Sequence, residues 1–246
     1  MKIGEILFQG EWTEDQVLAR WDASLARCST PEIDAEIERR WAEWTAKQPR
    51  AFDGALVRAA SVDYSPERIE LCCGPAGYRD YVGTHAFPGA VDEHRANPLS
   101  VCCAVRTADA RIVVGLRSGT VESPGKWHVV AGHVERERHV RGGRVLPFDT
   151  VRDELREELG IAAADIEELI CTGMTRAPVA LKPELTFFAR VSLTMDQLRI
   201  DDEHARIAGI PASPASIEQF LATHDVTAPG RACLRSCAPA LERRYW

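Results

Sequence analysis

The sequence predicts an α/β fold, and three observations predict it. Ala55 to Val62 and Arg68 to Cys73 are strand-length runs, the chain alternates in the manner of a sheet from Leu99 onward, and Asp153 to Leu159 repeats leucines at helical spacing before a Gly160 stop. At 246 residues the chain can bury one sizeable core or two small ones. It reads as an N-terminal cap of two helices and a β-hairpin over 1–95, a main α/β domain over 96–225 and a tail over 226–246.

Each element has a local cause. Thr13-Glu14-Asp15-Gln16 opens a helix as a capping box, with Val17, Leu18, Trp21 and Leu25 carrying its buried face to Cys28. Thr30-Pro31-Glu32 starts a second helix with an N-cap, a first-turn proline and an acid at the positive end of the dipole, and Ile33, Ile37, Trp41 and Trp44 form its apolar stripe. Phe52-Asp53-Gly54 turns the chain into the hairpin. Val101 to Arg106 and Arg111 to Leu116, joined by Thr107-Ala108-Asp109-Ala110, form another, and Trp127 to Val130 a third strand. Gly142-Gly143 and Pro147 mark a loop. Ile166 to Arg176 and Glu184 to Leu193 supply two more strands, Thr194 to Leu198 a short capped helix, and Ser216 to Thr223 a last helix packing through Ile217, Phe220 and Leu221.

The net charge of −7 offers no general attraction to nucleic acid or anionic membranes. There is no apolar stretch of membrane-spanning length and no basic-then-apolar N-terminus. The expectation is a cytoplasmic protein, monomer or homodimer, without nucleic-acid or membrane partners. Of eight cysteines, Cys72-Cys73 and Cys102-Cys103 are adjacent pairs whose thiols strand alternation sends to opposite faces, and Cys233 and Cys237 lie four apart on a possible terminal helix without zinc-finger spacing. Reduced, buried thiols packing as small apolar residues are expected.

The chemistry concentrates in the helix before Gly160. At about 100° per residue, Glu154, Glu157 and Glu158 converge within one turn while Leu155 and Leu159 point to a core. Carboxylates so close repel unless a cation sits among them. Hard divalent ions that take oxygen ligands, Mg²⁺ or Mn²⁺, suit such a cluster, and Mg²⁺ commonly brings substrate phosphates with it. His128 and His133 are expected outside a metal shell in which oxygen ligands dominate.

Gly132-His133-Val134-Glu135 followed by Asp153-Glu154-Leu155-Arg156-Glu157-Glu158-Leu159-Gly160-Ile161 resembles the box of the Nudix hydrolase superfamily: a glycine, five residues, a glutamate, seven residues, then Arg-Glu-apolar-x-Glu-Glu-x-Gly-apolar. Two departures matter. Asp153 stands where the family has arginine, with Arg152 displaced by one residue, and the gap after Gly132 is longer by about seven residues. Glu135, Glu137 and Asp149 all compete for the loop glutamate. The resemblance implies an α/β/α sandwich with a mixed β-sheet, Mg²⁺ or Mn²⁺ as cofactor, and a metal set of Glu154, Glu157, Glu158 and the backbone carbonyl near Gly132.

Trp41, Phe52-Asp53-Gly54 and Tyr78-Arg79-Asp80-Tyr81-Val82-Gly83-Thr84, in that order, resemble the branch of the superfamily that acts on UDP-glucose and UDP-galactose. That resemblance implies hydrolysis of a nucleoside diphosphate sugar to UMP and a sugar 1-phosphate. It implies that Tyr78 and Tyr81 help hold the nucleotide or sugar, or pack the cap on the core. Arg117-Ser118 and Pro124-Gly125 match elements that approach the pyrophosphate, and Arg117 is the first candidate for a phosphate contact. Arg176-Ala177-Pro178 and Leu181-Lys182-Pro183-Glu184-Leu185 resemble that branch's stretch and suggest that Arg176 and Lys182 border the substrate, and Glu203 in Asp201-Asp202-Glu203-His204 is the candidate base or added ligand beside Glu157 and Glu158. Two other readings stand open: a Nudix hydrolase of another nucleoside diphosphate derivative such as ADP-ribose, and a nucleotide-sugar binding protein with a disabled box.

Overall fold

The computed structural model describes residues 4–48, 51–85, 91–119, 122–176, 181–200 and 202–242, so Ala177-Pro178, Asp201 and the end of the tail lie outside the described residues. Strand β1 (Gly4–Trp12) leads through one 3-10 turn, Glu14–Gln16, into β2 (Val17–Trp21) and helix α1 (Pro31–Lys47). The hairpin β3 (Ala55–Tyr64) and β4 (Ile69–Gly77) precedes α2 (Tyr78–Thr84). Then come β5 (Ser100–Arg106), β6 (Arg111–Arg117), β7 (Trp127–His128), β8 (Val130–His133), α3 (Arg136–His139), β9 (Val140–Arg141), β10 (Arg144–Val145) and α4 (Pro147–Leu159). β11 (Ile166–Arg176), β12 (Glu184–Val191), β13 (His204–Pro211), α5 (Pro214–Thr223), α6 (Ala228–Ser236) and α7 (Ala238–Glu242) complete the order.

Two mixed sheets result. The larger runs β1-β11-β12-β5-β6-β13, with β8 alongside β5 and β7 alongside β6, and the smaller runs β3-β4-β2-β10-β9. The pairs β5 with β12 and β2 with β4 are parallel. Alternation along β5 shows how the layers close. Val101, Cys103 and Val105 enter a core shared with Val17, Ile69 and Leu71 of the small sheet and Val151, Leu155 and Leu159 of α4. Cys102 and Ala104 enter a second core with Ile217, Phe220 and Leu221 of α5 and Cys233 and Leu234 of α6. The larger sheet is thus covered on both faces, which explains why β5 reads as an almost unbroken apolar run. All eight cysteines are free thiols, and six of them are buried.

The helix expected from Thr13 to Cys28 is not formed. Its capping box exists, with the Thr13 N–H donating to Gln16 Oε1 at 2.9 Å, but it closes a single 3-10 turn. Val17 and Ala19 then face the core on alternate positions of a strand held by β4 and β10. The apolar spacing fits either period, and partners distant in sequence decide it. The loop expected around Gly142-Gly143 is a tight hairpin. Both glycines have positive φ, +57° and +75°, the combination a two-residue turn between twisted strands requires. Its second strand, β10, pairs with β2 and so widens the small sheet. β1, β13 and α6 were not foreseen, apart from a possible helix at Cys233 and Cys237.

Candidate active site

Helix α4 owes its position to both ends and one face. Pro147 occupies the first turn, and Gly160 at φ +68° ends the helix, with the Ile161 N–H turning back to the Leu155 carbonyl at 3.1 Å. Phe148, Val151, Leu155 and Leu159 are buried against the sheets, which leaves Glu154 and Glu157 on the side facing a cleft of about 1300 Å³. Gly132 on β8 is where the helix comes closest. A Cβ at position 132 would overlap the Glu154 carboxylate, so any larger residue would displace that side chain from its present position.

The three box glutamates have different surroundings. Burial, with the neighbouring charges of Glu157 and Glu203, pushes the Glu154 carboxyl up to about 8. Glu158 is only 3% exposed: its Oε1 accepts the Ala131 N–H at 3.0 Å, and its Oε2 lies 3.5 Å from His204 Nε2. Glu157 is exposed and accepts from Arg138 Nη2 at 2.6 Å. Glu154, Glu157, Glu203, Glu135 and Glu137 line the cleft, whereas Asp149 is turned to Arg152 at 2.9 Å and Arg141 at 3.6 Å. The structure therefore leaves Glu135 and Glu137 as the cleft-side competitors for the loop acid.

Arg138 answers the question raised by Asp153. Its Nη2 lies 2.7 Å from Asp153 Oδ2 and 2.6 Å from Glu157 Oε1, so a guanidinium from the inserted α3 reaches the glutamate that the displaced Arg152 does not. Arg152 pairs instead with Glu14 and Asp149. His139 fixes the other side of Asp153. The Glu135 backbone N–H can only donate, so His139 Nδ1 accepts it at 3.0 Å, the ring proton sits on Nε2, and Nε2 points at Asp153 Oδ2 at 3.3 Å. Burial works against the Asp153 carboxylate, but the His139 hydrogen bond and the Arg138 and Arg156 guanidiniums outweigh it and hold its pKa below the ordinary value.

The rest of the cleft is basic and aromatic. Arg117, Lys126, Lys182 and Arg231 line it with Tyr78 and Tyr81. Burial opposes the Lys182 ammonium, yet Glu184 at 3.4 Å, Tyr81 and Glu122 more than compensate, so its pKa is raised and it stays charged. Arg117 donates from Nε to the Glu122 carbonyl, which fixes it at the end of β6. Glu203 stands opposite, its carbonyl accepting the Ser118 N–H at 2.8 Å. Arg176 is elsewhere. It is 1% exposed, absent from the cleft lining, and bonded to Asp92, to Asn97 Oδ1 at 2.8 Å and to the Leu181 carbonyl at 2.9 Å, which makes it a brace for the segment that carries Lys182.

Among the described residues no group of three His, Cys, Asp or Glu side chains is already closed around a metal position. The donor set nevertheless fits a hard divalent ion: a buried carboxyl pressed into a glycine gap, with two further carboxylates close enough to disfavour its ionisation. Sequence reasoning missed Ser100, Glu122 and Glu184, which also line the cleft. Ser100 and Glu184 become neighbours only through strand register, and Glu122 reaches the cleft from the loop between β6 and β7, so nothing in their local sequence sets them apart as cleft residues.

No family model matches the chain. It is similar to Nudix hydrolase 9 of Arabidopsis thaliana, 25% identical over 207 residues that span 69% of this chain and 67% of that protein. It is also similar to the uridine diphosphate glucose pyrophosphatase of Bos taurus, 27% identical over 222 residues and 77% of each. Solved structures with a similar chain path include a MutT protein from Methanosarcina mazei, at 17% identity and TM-score 0.41 over 59% of this chain and 96% of that one. Another is the Nudix domain of Shewanella oneidensis NrtR complexed with ADP ribose, at 14% identity and TM-score 0.45 over 62% and 94%.

Proposed function

Since this chain belongs to the Nudix hydrolase superfamily, we propose that it is a metal-dependent hydrolase that cleaves the pyrophosphate of a nucleoside diphosphate sugar, with UDP-glucose or UDP-galactose as substrate. The single observation that carries the reading is the polarity of one cleft, which joins the carboxylates Glu154, Glu157 and Glu203 to the cations Arg117 and Lys182. A diphosphate needs both kinds of group. Its oxygens are met by guanidinium and ammonium, and its remaining charge by a divalent ion.

Glu154, Glu157 and the carbonyl near Gly132 would hold Mg²⁺ or Mn²⁺, and the ion would supply charge neutralisation and a lowered water pKa, whereas Glu158, expected among the ligands, is buried off the cleft with its oxygens on the Ala131 N–H and beside His204. Arg117 and Lys182 orient the diphosphate, and the aromatic wall of Tyr78 and Tyr81 excludes water from its far side. Glu203, exposed beside Ser118, takes the proton of the attacking water. Water adds to one phosphorus, the bridging P–O bond breaks, and UMP and a sugar 1-phosphate leave. The 27% identity to a uridine diphosphate glucose pyrophosphatase supports the choice of sugar nucleotide. Eight free thiols suit cytoplasmic residence, and among the described residues no helix is long and apolar enough to cross a membrane.

The test is chromatography of products after incubation with Mg²⁺ and a panel of UDP-sugars, ADP-ribose and dinucleotides, beside Glu157→Gln. UMP appearing from UDP-glucose or UDP-galactose, and absent with the variant, is the expected result. One observation favours a second reading, a binding protein with a disabled box: Arg138 already neutralises Glu157. Tight UDP-glucose binding without any product would support that reading instead.

A further inference from the structure

Three neighbouring strands set a row of polar side chains across the floor of the cleft. Ser100 on β5 is paired with His133 on β8 and with Glu184 on β12, so register places the three side by side on one face. All three line the cleft. The Ser100 hydroxyl and His133 Nε2 are shut away from solvent, and neither has a hydrogen-bond partner in the protein. Leaving a buried polar group unpaired costs about 1–3 kcal/mol. Two such groups on adjoining strands in a cleft floor call for an explanation, and a ligand that completes them supplies one.

The surroundings define the ligand's chemistry. Lys182 Nζ stands 3.4 Å from Glu184 Oε1 and 5.7 Å from the centre of the Tyr81 ring, and the Tyr78 hydroxyl donates to Glu122 Oε1 at 3.3 Å. The Tyr78 and Tyr81 rings flank His133 with centroids 6.0 and 5.7 Å away. Donors and acceptors therefore alternate beside an aromatic wall. We propose that this row is the subsite for the hexose of a nucleoside diphosphate sugar, an assignment that rests on the hydrolase reading above. A hexose carries hydroxyls that both donate and accept around a ring with an apolar C–H face.

The experiment compares calorimetric affinities for UDP-glucose and for UDP, both with Mg²⁺ and all in the Glu157→Gln background so that the sugar nucleotide is not consumed, for that parent, with Ser100→Ala and with His133→Phe, the last keeping an aromatic ring while removing Nε2. Each substitution should weaken UDP-glucose binding about 5–10-fold, the worth of one hydrogen bond, and leave UDP unchanged. Ser100→Ala should melt no lower than wild type, since it deletes an unpaired hydroxyl. Equal losses for both ligands, or no loss for either, overturn the assignment. Wild-type protein that neither binds nor cleaves UDP-glucose removes the hydrolase reading and this one with it. Cleavage of UDP-glucose by both single variants at the wild-type kcat/KM removes the subsite alone.

Discussion

Glu154 sits in an environment that disfavours its charge and suits a cation. Its carboxyl, with an ordinary value of 4.5, is pushed up to about 8 by burial and by Glu157 and Glu203. A folded-state pKa above the unfolded one stabilises the protein fully below about pH 4.5 and loses that contribution as pH rises toward 8. Metal-free wild-type protein should therefore lose melting temperature relative to Glu154→Gln between those limits, and Mg²⁺ added at pH 8 should raise the wild type and not the variant. A difference that stays flat with pH would show that Glu154 ionises freely. This residue was legible in the sequence because Glu154, Glu157 and Gly160 are local spacings on one helix. The distinction between a buried Glu158 on the Ala131 N–H and a cleft-lining Glu157 was not, since it depends on where β8 lies.

At the scale of elements, the segment between Gly132 and α4 changes meaning once its structure is known. The stretch that carries the seven-residue excess holds α3 and the β9–β10 hairpin, and α3 brings Arg138 to Asp153 and Glu157. Two magnitudes separate the possible roles of that arginine. Partly exposed ion pairs contribute about 0.2–1 kcal/mol to stability, whereas losing a group that orients a metal ligand typically costs about 10–100-fold in metal affinity. Arg138→Ala should thus raise the Mg²⁺ concentration for half-maximal turnover about 10-fold or more while the melting temperature hardly moves, and Arg138→Lys should recover part of the loss. Unchanged Mg²⁺ dependence would reduce the pair to a surface contact. The sequence disclosed that an insertion existed, through Gly142-Gly143 and Pro147, but Arg138 was one of three arginines in Arg136-Glu137-Arg138-His139-Val140-Arg141. β2 failed as a sequence inference for a related reason: its capping box is real, and only pairing with β4 and β10 selects the strand.

For the molecule as a whole, the stretches 1–95, 96–225 and 226 onward are distinct in sequence, and we propose that they nevertheless fold as one unit. β1 pairs with β11, β2 pairs with β10, and α6 packs over β1, β11, β12 and β5, so each stretch completes a layer begun by another. Val17, Ile69 and Leu71 share one buried cluster with Leu155 and Phe187, and removing the first stretch would expose that face. Calorimetric unfolding should accordingly show a single transition, with tryptophan fluorescence and far-ultraviolet circular dichroism tracing the same curve. Leu155→Ala, at a fully buried site where both sheets meet α4, should lower stability by about 2–5 kcal/mol and move that whole transition. Two resolved transitions, or a shift confined to one of them, would mean that the cap folds independently. In that case the cleft between Tyr78 on the cap side and Glu157 on α4 would be free to open between domains, and substrate affinity would carry the cost of closing it.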